Sequence, residues 1–498
     1  MDGMQGQDNG STAAYTTSAS PDAVVNVITK SGTREFHGSA YWFKRHEMFN
    51  ATNFFNKAGG LTKKRYRYNT NGFTLGAPVT IPKLFNKSRD KLFFFFNFEQ
   101  NPSLEPQSIS RFTMPTAFER VGDFSQSHDQ NGRLIVIKDP YAGGAAFPGN
   151  VIPANRLNKN GQALMNLFAQ PNCLDCNVTK GAYNYEYQDA RPFSRTTELF
   201  RVDYRPNNKD SIFFRGTLWD SWNSGYLLTG WEFVKTGNGF QNQHAALGYT
   251  RIVSSNIVNE LTLGVRRPHE RNPAGGNDIP DSVLAKVNRT KIGFLAGQFN
   301  PEINPAGIIP QVSFGGVPSA PNFGSFNADR FPLFENDFNF NVGDGLTINR
   351  GRHTFKVGIY AEKDRIITGN GFAALWMGSF SFNADTNNPL DTGNPYSNAA
   401  LGTFHNYTQS TGRIVPAGTA INIDWYVQDS WKVTKRLTLE LGLRTAYYTP
   451  WCQWDGQQSS LALERYNPAK APTLFRPTAT SAGRRAINPL TAKFSQRR

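Results

Sequence analysis

"DWYVQDSWKVTKRLTLELGLRTAYYTPW", Asp424 to Trp451, is the stretch whose reading decides the fold. In its second half Leu437, Leu439, Leu441 and Leu443 alternate with Thr438, Glu440, Gly442 and Arg444. Successive side chains of a strand point to opposite faces, so the leucines share one face and the polar residues the other. The first half reads as a further strand over 422–433, and Thr434-Lys435-Arg436 is the whole connection between the two. In a soluble sandwich the apolar face of such a hairpin meets a protein core. In a membrane barrel it meets lipid, and the charged face lines the lumen. Alternation alone does not separate the two.

The pattern recurs along the chain. Phe355, Val357, Ile359 and Ala361 alternate with Thr354, Lys356, Gly358 and Tyr360; Leu261, Leu263 and Val265 alternate with Glu260, Thr262, Gly264 and Arg266; Phe200, Val202 and Tyr204 alternate with Arg201, Asp203 and Arg205. Strands are expected near 36–44, 67–77, 91–100, 196–205, 210–220, 242–253, 257–267, 335–347, 353–364, 422–433 and 437–448. The connections between them settle the architecture. Short turns such as 206–210, 254–256, 349–352 and 434–436 alternate with long loops over 45–66, 101–195, 221–241, 268–334 and 365–421. Short turns on one side and long loops on the other are the layout of an outer-membrane barrel, and a Greek-key sandwich has no reason to keep that order. Strands of about 9–13 residues also match a tilted span of the hydrocarbon core.

Composition agrees. The 498 residues carry only 39% hydrophobic side chains, with 13% aromatics, 45 Gly and 29 Pro. The densest apolar run, Leu92 to Phe98, is strand-length, so no transmembrane helix is expected. The formal net charge is +15, but Lys and Arg are dispersed, with small clusters only at Lys63-Lys64-Arg65 and Arg484-Arg485. Nucleic-acid binding needs a concentrated basic footprint and is not expected; dispersed basic loops suit an anionic membrane surface. Residues 1–20 show neither a basic n-region nor an apolar h-region, so a signal peptide is read as missing from this chain.

With these strands in place a family can be compared. "VVNVITKSGTREFHGSAYWFKR" (24–45), followed by "NATNFF", "YNTNGFTLGAPV" and "DKLFFFFNFEQ", resembles TonB-dependent outer-membrane receptors of the Oar-like type common in acidobacteria. "MPTAFERVGDFS" (114–125) and "FPGNVIPANRL" (147–157) look like that family's long second outer loop, and "RYNPAKAPTLFRP" (465–477) like a later one. "RVDYRPNNKDSIFFRG" (201–216), "RHTFKVGIYAEKD" (352–364) and the opening stretch look like its barrel hairpins. The collinear order of these motifs from about residue 21 to 477 is more specific than any one of them. "GAPV" at Gly76 departs mildly from the family's double glycine.

The resemblance implies an all-β transmembrane antiparallel β-barrel, of which about 11 of an expected 22 or so strands are present. An odd, unclosed set would leave backbone groups unpaired in lipid. A partial chain is therefore expected: 1–20 a disordered or mis-called N-terminus, 21–35 the end of a plug domain and its linker, 36–448 a partial barrel, and 449–498 the start of a truncated outer loop. Val24 to Thr29 would be the last plug strand, with Lys30, Ser31, Gly32 and Thr33 in the plug-to-barrel linker. The implied function is ligand capture and energised uptake of a solute across the outer membrane, without catalysis and without a cofactor. The TonB complex is the expected partner of the full-length protein, although the TonB box is absent here. Oligosaccharide, peptide and metal chelate stay open as the solute. Loops of 57 to 95 residues also support an alternative, a surface adhesion or assembly and export protein on the same barrel. A soluble β-sandwich enzyme is the third reading.

Individual residues carry little catalytic signal. The seven histidines (37, 46, 128, 244, 269, 353, 405) show no metal-ligand spacing, and no nucleophile elbow or phosphate loop occurs. Cys173 and Cys176 form a C-x-x-C inside the second long loop, without the βαβ context of a redox motif or a second zinc-ligand pair; a local loop disulfide is expected, with Cys452 left over. Arg201, Asp203, Arg205, Arg215, Glu260, Arg266, Lys356, Glu362, Glu440 and Arg444 are the expected lumen-facing charges, either a ligand path or a solvated interior. Trp42, Phe43, Trp425, Trp431, Tyr447 and Tyr448, near strand ends, are the expected aromatic girdle.

Overall fold

Among the described residues eleven long strands run in sequence order through one antiparallel sheet: β1 (His37–His46), β2 (Arg67–Pro78), β3 (Leu92–Gln100, resumed over Ser103–Pro106), β4 (Ala190–Tyr204), β5 (Asp210–Leu227), β6 (Lys235–Ser254), β7 (Ile257–Arg271), β8 (Phe338–Arg350), β9 (His353–Gly369), β10 (Ala417–Lys432) and β11 (Thr438–Tyr448). Each pairs with its sequence neighbours, and a short segment, Phe334–Asn336, extends the β8 position between β7 and β9. The computed structural model describes residues 29–52, 54–58, 63, 65–173, 182–227, 231, 233, 235–271, 281–321, 334–369, 375–412, 417–453, 464, 467, 476–478 and 485–487. The chain divides into two units, Met1–Cys452 and Gln453–Arg498. In the second, Arg476–Thr478 pairs antiparallel with Arg485–Ile487.

The register sorts the side chains into two faces. One row of paired residues crosses the sheet as Phe94, Val202, Phe214, Leu247, Leu263, Val342, Ala361, Ile423 and Tyr447, apolar throughout. The adjacent row, on the other face, reads His37, Gly76, Phe95, Arg201, Arg215, Ala246, Gly264, Asn341, Glu362, Asn422 and Tyr448. The apolar face is exposed: Ile359 at 52%, Leu441 at 54% and Leu443 at 59% stand beside Val357, Trp425 and Val427. A contiguous apolar belt of that extent on the surface of a folded chain marks a lipid contact. Among the described residues no helix is long and apolar enough to cross a membrane, which says nothing of strands.

Several strands run further than their alternation predicts. β5 and β6 reach 18 and 20 residues, well beyond the 9–11 or so that cross the hydrocarbon core. Residues 221–227 and 235–241, expected as loop, are paired strand, with a register shift between Asn223 and Tyr226. Above the membrane both faces of a hairpin meet water, so the extension carries no hydrophobic alternation for a sequence reading to find.

The buried apolar core lies in the long loops. Met114, Phe124, Ile152, Leu164 and Phe168 come from the β3–β4 connection, Trp231 from β5–β6, Ile308, Val312 and Phe314 from β7–β8, and Trp376, Phe380 and Tyr396 from β9–β10. These four connections form one packed cap. Gln311–Ser313 pairs in parallel with Ser379–Ser381, which pairs antiparallel with Asn406–Thr408. The cap also holds short helices, among them α1 (Ala117–Arg120), α2 (Lys159–Met165), α3 (Asp281–Val287) and α4 (Pro395–Leu401). Helices α2 and α4 touch at Gly161, where any side chain would overlap the Ala399 carbonyl.

Candidate functional site: the polar face of the sheet and the loop cap

In a sheet with one lipid-exposed face, the charged and polar side chains gather on the opposite face and in the loop cap. On the polar face Arg201 turns Nε and Nη2 to the carboxylate of Asp203, at 2.8 to 3.1 Å, and lies 4.8 Å over the ring of Phe213. Arg215, directly opposite on β5, is almost fully buried and stands 6.0 Å from the same ring. Arg205 follows the last residue of β4 and stands over Phe93. This basic side of the face is thus built on phenylalanines that share its parity along the strands, Phe213 two residues from Arg215 and Phe93 paired with Asp203.

The other flank is acidic. Asn339 Nδ2 donates to Glu362 Oε1 and to Asp364 Oδ1, both at 2.6 Å, and Tyr360 donates its hydroxyl to Glu362 Oε2 at 2.6 Å. Asp424, paired with Tyr360 across the strands and 4% exposed, takes a hydrogen bond from Arg444. Glu440 accepts from Ser430 at 2.6 Å and Gln428 at 3.2 Å. Arg266 reaches Asn242, while Glu260 and Lys356 are placed on this face by register, opposite Gly345 and Gln428. Tyr41 also belongs here, donating to Glu99 at 2.7 Å. Asp364, Asp424, Tyr360, Asn339 and the Tyr41–Glu99 pair were not singled out from the sequence. Their spacing puts them on the charged face, but only the register shows which neighbours they meet.

The aromatic set divides on the pleat. Trp42 and Phe43 are adjacent on one strand, paired with Asn71 and Thr70, so their rings point to opposite faces. Phe43 shares the face of Tyr41, 5.6 Å away between ring centroids. Tyr447 likewise belongs to the apolar row and Tyr448 to the polar one. One girdle facing lipid therefore cannot include both members of either pair. Trp425 and Trp431 do share the apolar face; Trp431 stacks on His353, which is bonded to Asp429 at 2.7 Å.

Residues Lys30 to Thr33 run along the polar face. Thr29 meets Arg201, and Gly32 is buried against Gly76 and the backbone of β3. The segment 24–28 lies outside the described residues. So does Cys176; Cys173 is disulfide-bonded, and Cys452 is an exposed free thiol.

The loop motifs at 114–125 and 147–157 meet in the cap, where Thr116, Glu119, Arg120 and Asn150 have structural tasks. Thr116 and Glu119 form a reciprocal capping box on α1. Arg120 is buried and donates to the carbonyls of Pro115, Met165, Phe168 and Ala169, collecting the C-terminal end of α2; burial pulls its guanidinium pKa down, yet it is held by four acceptors. Asn150, in the left-handed region at φ 60°, accepts from Ile137 N and donates to Phe124 O and Ile135 O, so that one motif is pinned to the other. Tyr396 donates its hydroxyl to Thr113 O at 2.5 Å, and burial pushes its pKa up. Among the described residues no group of three or more His, Cys, Asp or Glu side chains could hold a metal ion.

A polar-lined sheet with an apolar exterior and a folded cap defines an outer-membrane barrel. The chain belongs to the outer membrane beta barrel domain family, whose model matches residues 28–497, and its place is the outer membrane. No curated protein matches it. Solved structures with a similar fold include the siderophore receptor PirA from Acinetobacter baumannii (11% identity, TM-score 0.41, 85% of this chain and 41% of that one). Others are the outer membrane transporter YddB from Escherichia coli (9%, 0.39, 84% and 40%) and the copper transporter OprC (9%, 0.33, 84% and 38%). The chain spans about two fifths of the length of these proteins.

Proposed function

We propose that the chain is part of a TonB-dependent receptor of the Oar-like type, which captures a solute at its cap and admits it along the polar face when the TonB complex acts on a plug. The observation that carries this reading is the joint arrangement of a charged inner face, with separate basic and acidic flanks, and the segment Thr29–Thr33 laid against it at Arg201. On this reading Arg201, Asp203, Arg205, Arg215, Glu260, Arg266, Lys356, Glu362, Glu440 and Arg444 solvate the passage and guide polar ligands, and Lys30 to Thr33 link plug to wall. Cys173 and Cys176 close a loop disulfide. Trp42, Trp425, Trp431 and Tyr447 are the girdle members that face lipid. The chemistry is binding and carriage, with no bond made or broken. The test is uptake by cells carrying the full-length gene of three labelled probes, a maltodextrin, a short peptide and a ferric chelate, with and without the proton gradient. Gradient-dependent uptake of one probe supports the reading; equal uptake in cells lacking the gene sinks it.

A second reading has its own support. The cap has a contiguous buried core drawn from four loops, as a folded surface domain would. A surface adhesion or assembly role would use that cap as a domain. Loss of cell attachment on deleting the cap, with uptake of every probe unchanged, would favour it.

A further inference from the structure

The contact between Arg201 and Thr29 joins residues 172 positions apart. Arg201 Nη1 donates 2.8 Å to Thr29 Oγ1 and 3.4 Å to the Thr29 carbonyl. Three residues later the same segment is held in a different way. A Cβ added to Gly76 would stand 3.6 Å from Gly32 Cα, and one added to Gly32 would stand 2.8 Å from Ala77 O and 2.9 Å from Phe94 N. No side chain fits at position 32 while the segment stays against the wall.

We propose that these two contacts form a latch in which Gly32 on Gly76 is the pivot and Arg201 on Thr29 is the catch. The asymmetry lies in what opening leaves behind. Asp203 already occupies Nε and Nη2 of Arg201, and Phe213 lies beneath the guanidinium. When Thr29 leaves, the arginine keeps its counter-charge and its ring, so release gives up the hydrogen bonds to Thr29 and strands no buried ion. The geometry is that of a catch that opens and recloses without rearranging the wall. Arg201 is a positioning residue for the entering segment. The latch follows from the described contacts and does not depend on solute uptake.

The test is trypsin cleavage after the exposed Lys30 in the full-length protein, in outer-membrane fragments, with heat-modifiable migration as the check on folding. Arg201→Gln and Thr29→Val should each raise the cleavage rate about tenfold, as expected when proteolysis follows the open population. The double variant should add little to Arg201→Gln, because the Arg201–Thr29 contact is already gone in it, while Thr29→Val alone leaves the Arg201–Asp203 pair in place. Arg205→Gln, on the same face but over Phe93, should leave cleavage unchanged. Unchanged cleavage in Arg201→Gln, or an equal rise in Arg205→Gln, overturns the latch. Should Arg201→Gln fail to fold, Thr29→Val decides alone, since it removes one hydroxyl, and unchanged cleavage there also overturns it. Uptake is not read, so the latch and the transport reading fail separately.

Discussion

Tyr426 lies flat across Gly358 on the neighbouring strand: a Cβ added at Gly358 would stand 2.5 Å from Tyr426 Cε1, and one at Gly345 would stand 3.1 Å from its hydroxyl. The ring thereby covers two glycines on adjacent strands, β8 and β9, and replaces the side chains they lack. Phe213 treats Gly248 in the same way, and Tyr41 treats Gly72. Aromatic cover of glycine is a known device for holding register in sheets whose curvature needs small residues.

Gly358→Val should therefore destabilise the β9–β10 pairing by about 1–3 kcal/mol, the usual range for overpacking. The added Tyr426→Ala change should recover part of the loss. Gly343→Ala, whose Cβ would find its nearest neighbour at an ordinary 3.6 Å, should be nearly neutral. Urea midpoints of the full-length protein refolded in detergent check all three.

Leu441→Arg puts a charge on the exposed apolar face, at a residue 54% exposed to what is lipid in the membrane. A loss of roughly 2–4 kcal/mol is expected if the residue lies near the midplane, less toward either interface. The measurement is the transfer of the variant from urea into lipid vesicles; a loss below about 0.5 kcal/mol would place position 441 outside the hydrocarbon zone.

Arg120→Met should loosen the cap and spare the wall. It leaves four carbonyls to find new donors, of which the Met165 and Phe168 oxygens belong to the turn ending α2, for a cost on the order of 3 kcal/mol. Arg120→Lys should restore little, since an ammonium cannot reproduce the planar fork. Faster hydrogen exchange in 114–168, with unchanged heat-modifiable migration, is the expected result. Matching losses in cap and sheet would show that the two do not unfold separately.

Acid should weaken the same cap at a second place. The hydrogen bond from Arg156, aided by Tyr141 N, holds the Asp139 carboxyl below its ordinary range against a smaller opposing effect of desolvation. A carboxyl depressed in the folded state adds stability that is fully present above its unfolded pKa, near 4, and that is lost as pH falls through the lower folded value. Exchange in 135–157 should thus quicken below about pH 4. Asp139→Asn should remove that part of the pH dependence and leave exchange faster at pH 7. An identical acid profile in the variant would assign the effect elsewhere.

Much of the wall was legible because its chemistry is periodic. Leu437 to Arg444 and Phe355 to Glu362 declare their faces residue by residue, and the short turns at 206–210 and 434–436 set the order of pairing. The girdle was over-read where two aromatics were adjacent, since proximity to a strand end says nothing of which side of the pleat a ring takes. The outer halves of β5 and β6 were missed because pairing in water needs no alternation. The cap was missed as a core: Trp231, Trp376 and Phe314 are separated by long stretches of chain and lie in segments without period. Its motifs were visible, but a capping box at Thr116 and a left-handed Asn150 report local turns, not what those turns are packed against.

The sequence by itself determined the all-β class, the eleven strands, the two faces and the alternation of short and long connections, because each follows from the pleat and from chain length between strands. Only the tertiary structure decided that Arg201 meets Thr29, that Asn339 joins Glu362 to Asp364, and that four loops share one core. Those contacts depend on register and on loops closing over long separations, and a one-residue slip in pairing would exchange every one of them.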